Sequence, residues 1–185
     1  MLSVSPTTIL KRSHLRENRI AISPAIQGLH HAAYRCKNSE ETRAFYEDFL
    51  ELPLVEAFPI GTTASGREAR VLHTFYQMAD GSCIAFFEAP DQDFEFIDQH
   101  DFDLHIALSV EYDTLTRMLE KGKAQGHEVR GPSDHGFIHS IYFRDPNGYV
   151  VELAAPTPGI GKGPGFDPVK AQARLAQWQT EVHNA

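Results

Sequence analysis

The stretch GLHHAAYRCKNSEETRAFYEDFLEL, residues 28–52, sets the reading of the chain. It opens with strand character and turns helical after Asn38. Asn38 and Glu41 have the spacing of a capping box, and Phe45 and Phe49 stand one helical turn apart. Pro53 then ends the helix, since the residue before a proline is pushed out of helical geometry. Three strand-like runs follow: LVEAFPI (54–60), EARVLHTFYQM (68–78) and SCIAFFEA (82–89). The last two are joined at Asp80-Gly81, a hairpin signal.

The same order of elements recurs downstream. DLHIALSV (103–110) reads as a strand, Asp113 as the cap of the helix TLTRMLEKGKAQ (114–125), and Gly126 as its stop. HEVRG (127–131), FIHSIYFR (137–144) and YVVELAA (149–155) read as strands, the last two joined by the turn Asp145-Pro-Asn-Gly148. The pattern is βαβββ twice, an α+β fold with modules at 28–90 and 103–156. Residues 91–102 form an acidic, aromatic linker, and residues 1–27 an N-terminal extension. Residues 157–185 are a Gly/Pro-rich connection and a helix. Ala171, Leu175 and Trp178 share one stripe of that helix, which is expected to dock on the body or on a second subunit.

Bulk properties exclude several classes. Twenty-five acidic against 17 basic residues leave a net charge of −8, which argues against nucleic acid as a partner. No apolar run approaches the length of a membrane span, and the first residues lack the continuous apolar core of a signal peptide. Two isolated cysteines, Cys36 and Cys83, fit small core residues in a reduced, cytoplasmic setting.

Superposing the two modules aligns their polar residues. His31 falls opposite His105, and Gly81 opposite Gly148; four residues on, Ala85 falls opposite Glu152. Side chains alternate across a strand, so Leu104, Ile106 and Leu108 face the helix while His105 and Glu152 face away. His31 does the same in the first module, and His30 takes the other face. Two imidazoles and one carboxylate make a facial triad that leaves coordination positions open. The expected occupant is a divalent metal, Fe(II) first, with Mn, Zn or Ni as alternatives. An arginine partner for Glu152 is the rival reading, because a buried carboxylate needs a counter-charge of some kind.

GLHHAAYRC with its helix, LHIALSV, and SIYFRDPNGYVVEL together resemble the vicinal oxygen chelate superfamily. That group includes glyoxalase I, fosfomycin-resistance proteins, methylmalonyl-CoA epimerase, bleomycin-binding proteins and type I extradiol dioxygenases. The resemblance implies paired βαβββ modules forming a half-open barrel around a metal held by His31, His105 and Glu152. Glyoxalase I enzymes add a fourth ligand at the position of Ala85, which cannot bind metal. Extradiol dioxygenases carry a pattern matched here by His135, Tyr142, Asp145-Pro-Asn-Gly148 and Glu152, with a departure at Ser133. There His135 and Tyr142 would move protons, while His73 and Phe75 have the parity to touch substrate.

The leading expectation is thus an Fe(II) extradiol-type dioxygenase acting on a small molecule with vicinal oxygens, as a homodimer. A lyase or isomerase using the metal without oxygen, glyoxalase-like, is the alternative. A non-catalytic small-molecule binder is a further one.

Overall fold

A computed structural model describes residues 25–160 and 166–183; the expectation for residues 1–24 lies outside that range. The elements fall into two units. One holds Leu29–Pro164, and the other the chain termini, including helix α3 (Pro168–His183).

In the larger unit, strand β1 (His31–Cys36) leads into helix α1 (Ser39–Arg43), whose start Asn38 caps by accepting from the amides of Glu40 and Glu41. The helix widens into a π-helical turn, Ala44–Phe49, and stops at Glu51, which takes a left-handed φ of 66°. It therefore ends a turn earlier than the proline rule implies, because the Leu50 and Leu52 amides reach back to the carbonyls of Phe45 and Tyr46. Strands β2 (Leu54–Thr62), β3 (Glu68–Gln77) and β4 (Cys83–Glu88) complete the first sheet, in the order β1-β4-β3-β2 with β1 and β4 parallel.

The second module repeats this. Strand β5 (His105–Ser109), helix α2 (Tyr112–Gln125), and strands β6 (Val129–Asp134), β7 (Ile138–Arg144) and β8 (Val150–Pro156) give the order β5-β8-β7-β6, again with the outer pair parallel. Glu111 occupies the N-cap of α2, so Asp113 lies inside the first turn and is not the cap. Its charge still favours a helix N-terminus. Gly126 ends α2 at φ 76°, as its sequence position implies. The two modules are α+β and share one topology.

One core serves both. Phe45, Tyr46, Phe49 and Phe86 of the first module pack with Leu115, Met118, Phe143 and Leu153 of the second. The helix-bearing faces of the sheets thus meet each other. Gly122 lets α2 lie close on its own sheet: a β-carbon there would lie 2.5 Å from the Phe143 ring and 3.5 Å from Phe49 of the first module. Asp145 pins the modules together. It is buried, and its carboxylate accepts from the Tyr46 hydroxyl (3.1 Å), the Asn147 side-chain amide (3.0 Å) and the amides of Asn147 (2.9 Å) and Tyr149 (2.8 Å). The Asp-Pro-Asn-Gly turn therefore does more than reverse the chain: it carries a buried polar link between modules. The linker lies on this turn, with the backbone of Ile97 against Gly148 where no side chain would fit.

His127, at the start of the strand read at 127–131, stacks on Phe49 at 3.9 Å between ring centroids. Cys36 and Cys83 are buried free thiols, as expected. In α3, Leu175 and Trp178 are each 56% exposed.

Asp145→Ala should cost about 2–4 kcal/mol, since it strands several buried donors at once; a urea melt would measure it. Burial, and less so Lys121, lowers the His127 pKa. The unfolded chain therefore takes a proton near 6.5 that the folded chain resists. Stability should fall as pH drops below that value, and His127→Phe should weaken the fall when melts at about pH 7.5 and 5 are compared.

Candidate active site

Strand pairing arranges the outward faces in cross-strand rows. On the second sheet, Arg130, Tyr142, Glu152 and Ala107 form one row. Arg144, Val150 and His105 form the next, and Ser133, Ser140, Ala154 and Ser109 the row on the other side. On the first sheet the matching rows are Glu56, Phe75, Ala85 and Ala33; Gln77, Cys83 and His31; and Phe58, His73, Phe87 and Arg35. The alignment read from the sequence holds in the register: His31 matches His105, and Ala85 matches Glu152. Phe75 also matches Tyr142, and His73 matches Ser140.

Glu152 is 6% exposed. Its Oε1 accepts from the Ser140 hydroxyl at 2.5 Å, and its Oε2 stands 3.2 Å from His105 Nε2. The other ring nitrogen, Nδ1, donates to the Asp101 carbonyl at 2.7 Å. With the ring neutral, that bond leaves the Nε2 lone pair facing a carboxylate oxygen. Two acceptors at this distance need a cation between them, a proton or a metal ion. The rival partner, arginine, is accounted for: Arg130, in the same row as Glu152, bonds Asp101 at 2.6 Å and lies over the Tyr142 ring at 5.2 Å.

His135 and Tyr142 come together, with Nε2 and the phenol oxygen 3.1 Å apart. Burial raises the Tyr142 pKa, and the neighbouring Glu152 charge adds to it. At neutral pH Tyr142 therefore keeps its proton beside a histidine that can exchange it.

His31 lies on the outward face of the first sheet, apart from this group. Its ring meets Phe75 at 5.4 Å and His73 at 6.3 Å. His30 is not turned away as parity implied: the two Nδ1 atoms are 2.7 Å apart. Among the described residues, no three His, Cys, Asp or Glu side chains stand close enough to hold one metal. The modules meet through their helix faces, so their outward faces point away from the shared core. His139 packs against Tyr112 of α2, on the helix side, as its parity implies.

A family model for the Glyoxalase/Bleomycin resistance protein/Dioxygenase superfamily matches residues 28–153, which span most of both modules. The chain belongs to this superfamily. Among curated members of the group, the Metallothiol transferase FosB of Shouchella clausii (strain KSM-K16) is 30% identical over 139 residues, covering 69% of this chain and 80% of FosB. A mutant of the fosfomycin resistance protein FosX from Listeria monocytogenes, solved with Mn(II) and 1S,2S-dihydroxypropylphosphonic acid, superposes with a TM-score of 0.52 at 24% identity, covering 72% of this chain and 95% of that one. A glyoxylase/bleomycin resistance protein/dioxygenase domain from Frankia sp. EAN1pec gives 0.60 at 17% identity, covering 72% and 100%.

Three residues beside His105 and Glu152 are not singled out by the sequence reading. Ser140 was readable by parity, since it faces the same side as Tyr142. Asp101 was not: it lies in the linker, and only tertiary structure brings its carbonyl to His105 and its carboxylate to Arg130. Arg130 sits in a strand with a register shift, which hides its row from simple counting.

Long-range ¹⁵N spectra of the protein should show His105 protonated at Nδ1. A ring with Nδ1 bare would break the Asp101 contact described above.

Proposed function

We propose that this chain is a divalent-metal enzyme acting on a small molecule with two neighbouring oxygens, in a transfer, lyase or isomerase reaction that does not use dioxygen. The observation that carries this reading is the His105 Nε2–Glu152 Oε2 pair, held from behind by Asp101 and Ser140. His105 and Glu152 would hold the metal together with His31 of a second copy. The half-open barrel is thus completed across a homodimer. Edge strands support this arrangement: among the described residues, β1 and β5 each pair on one side only, and an edge strand can pair with another chain. A largely apolar cleft of about 560 Å³, lined by Leu29, Ala32, Ile84, Ile106 and Leu108, runs beside both strands.

The relatives support the oxygen-independent reading. The named curated relative is a metallothiol transferase, and the FosX mutant carries Mn(II). Bound in this donor set, a divalent ion supplies Lewis-acid polarisation of a substrate oxygen. The residues of the chain do the rest. Ser140 and Asp101 fix the ligands. Tyr142 presents its hydroxyl proton at Oη to a developing oxyanion, and His135 Nε2 resupplies it. His73 and Phe75 contact the substrate from the other sheet.

A second reading, the Fe(II) dioxygenase, is favoured by one observation: the His135–Tyr142 pair. It predicts oxygen uptake with catechols by the iron-loaded protein, and the main reading predicts none.

Metal titration and light scattering test the proposal. Wild-type protein should be dimeric and bind manganese, while His31→Ala, His105→Ala and Glu152→Ala should each lose it. His30→Ala should keep it, and Ser140→Ala should weaken it by about 10- to 100-fold. Coexpressing His31→Ala with Glu152→Ala chains should recover metal, because the mixed dimer contains one complete site. No metal in any preparation would leave a small-molecule binder as the function.

A further inference from the structure

His31 and His105 occupy matching places in the two sheets, and each ring is engaged at the same atom. His105 Nδ1 donates to the Asp101 carbonyl at 2.7 Å. His31 Nδ1 stands 2.7 Å from His30 Nδ1. Asp101 belongs to the linker and His30 is the preceding residue of the chain, so two unlike parts of the molecule occupy one nitrogen in each module.

The backbone places the His30 side chain. Strand β1 begins at His31, so strand alternation does not bind His30. The His30 carbonyl accepts from the Cys83 amide at 3.0 Å, which holds its main chain against β4. The His30 and His31 rings then meet edge to face, with centroids 5.0 Å apart and 72° between planes. His31 also meets the rings of Phe75 and His73. Phe75 has no hydrogen-bonding group, and His73 Nδ1 donates to the Phe86 carbonyl at 2.9 Å. Among the described residues, His30 is the one hydrogen-bond partner of the His31 side chain.

A neutral imidazole has one N–H and one bare nitrogen. Two Nδ1 atoms at this distance share one proton, and it can be placed in two ways. If His30 donates, His31 carries its own proton on Nε2 and its bare Nδ1 is already taken. Neither nitrogen of His31 is then open to a metal ion. If His31 donates, its Nε2 is bare, as His105 Nε2 is when that ring is neutral. The nitrogen that a histidine offers to a metal is set by the bond its other nitrogen makes.

We infer that His30 is a positioning residue: it accepts the Nδ1 proton of His31 and so turns His31 Nε2 to the metal, as the Asp101 carbonyl does for His105. His30 itself then carries its proton on Nε2. This rests on the metal reading proposed above and adds the residue that prepares its first-module ligand.

The test uses the full-length, metal-free protein, labelled with ¹⁵N, at about pH 8, where imidazole is neutral. Long-range ¹H–¹⁵N spectra should show His31 protonated at Nδ1 and His30 at Nε2. His30→Ala should leave His31 as a mixture of both tautomers. His30→Gln, whose amide oxygen accepts the same proton, should restore the single one. Manganese titration gives a second readout. His30→Ala keeps every proposed ligand and so still binds manganese, but its half-saturation should rise about tenfold, and His30→Gln should recover most of that loss. His31 protonated at Nε2 in the wild type, or a tautomer and affinity unmoved by His30→Ala, would overturn the positioning role, while manganese binding by the wild type would leave the metal reading standing. A wild-type protein that takes up no manganese would overturn both.

Discussion

The contact between the two helix-bearing faces governs everything else in this molecule. Each βαβββ module has one face that must leave water, and each finds its cover in the other module. Phe49 meets Phe143, and Tyr46 reaches Asp145. Once those faces are spent on each other, the remaining faces of both sheets are directed outward. His31, His105, Tyr142 and Glu152 lie on those faces.

That constraint explains why the donor set is divided. His105 and Glu152 share a sheet and can meet within it, at the distance where a shared cation is required. His31 occupies the equivalent place on the other sheet and cannot reach them across the common core. In the proposed reading a second copy of the chain would resolve this, since among the described residues β1 and β5 are edge strands. The same division allows the halves to specialise: the second sheet keeps hydroxyl, phenol and carboxylate, and the first becomes aromatic.

The support behind the ligands follows the usual logic of polar groups held at an apolar boundary. Glu152 is buried, so both of its oxygens must be answered, and Ser140 and His105 answer them. Asp101 serves two neighbours through different atoms, its carbonyl orienting His105 and its carboxylate holding Arg130 over Tyr142. Arg130 is thereby turned from Glu152 toward Asp101.

Much of this was legible in the amino-acid order. Alternation along LHIALSV assigns His105 to the outward face, and the burial of Leu108 bears it out. Counting from Gly81 and Gly148 pairs Ala85 with Glu152, and the hydrogen-bond register agrees. Local rules succeed here because strand parity and turn chemistry depend only on neighbouring residues. They falter where the backbone departs from regularity. Examples are the π-helical turn that shortens α1 and the register shift that hides Arg130. The sequence alone thus determined the two modules, the outward-facing histidines and glutamate, and the family. Tertiary structure alone decided that the modules pack through their helix faces, that Asp101 stands behind His105, and that His31 is separated from His105 and Glu152. Those facts depend on which surfaces bury one another, and contacts between residues distant in the chain leave no periodicity to read.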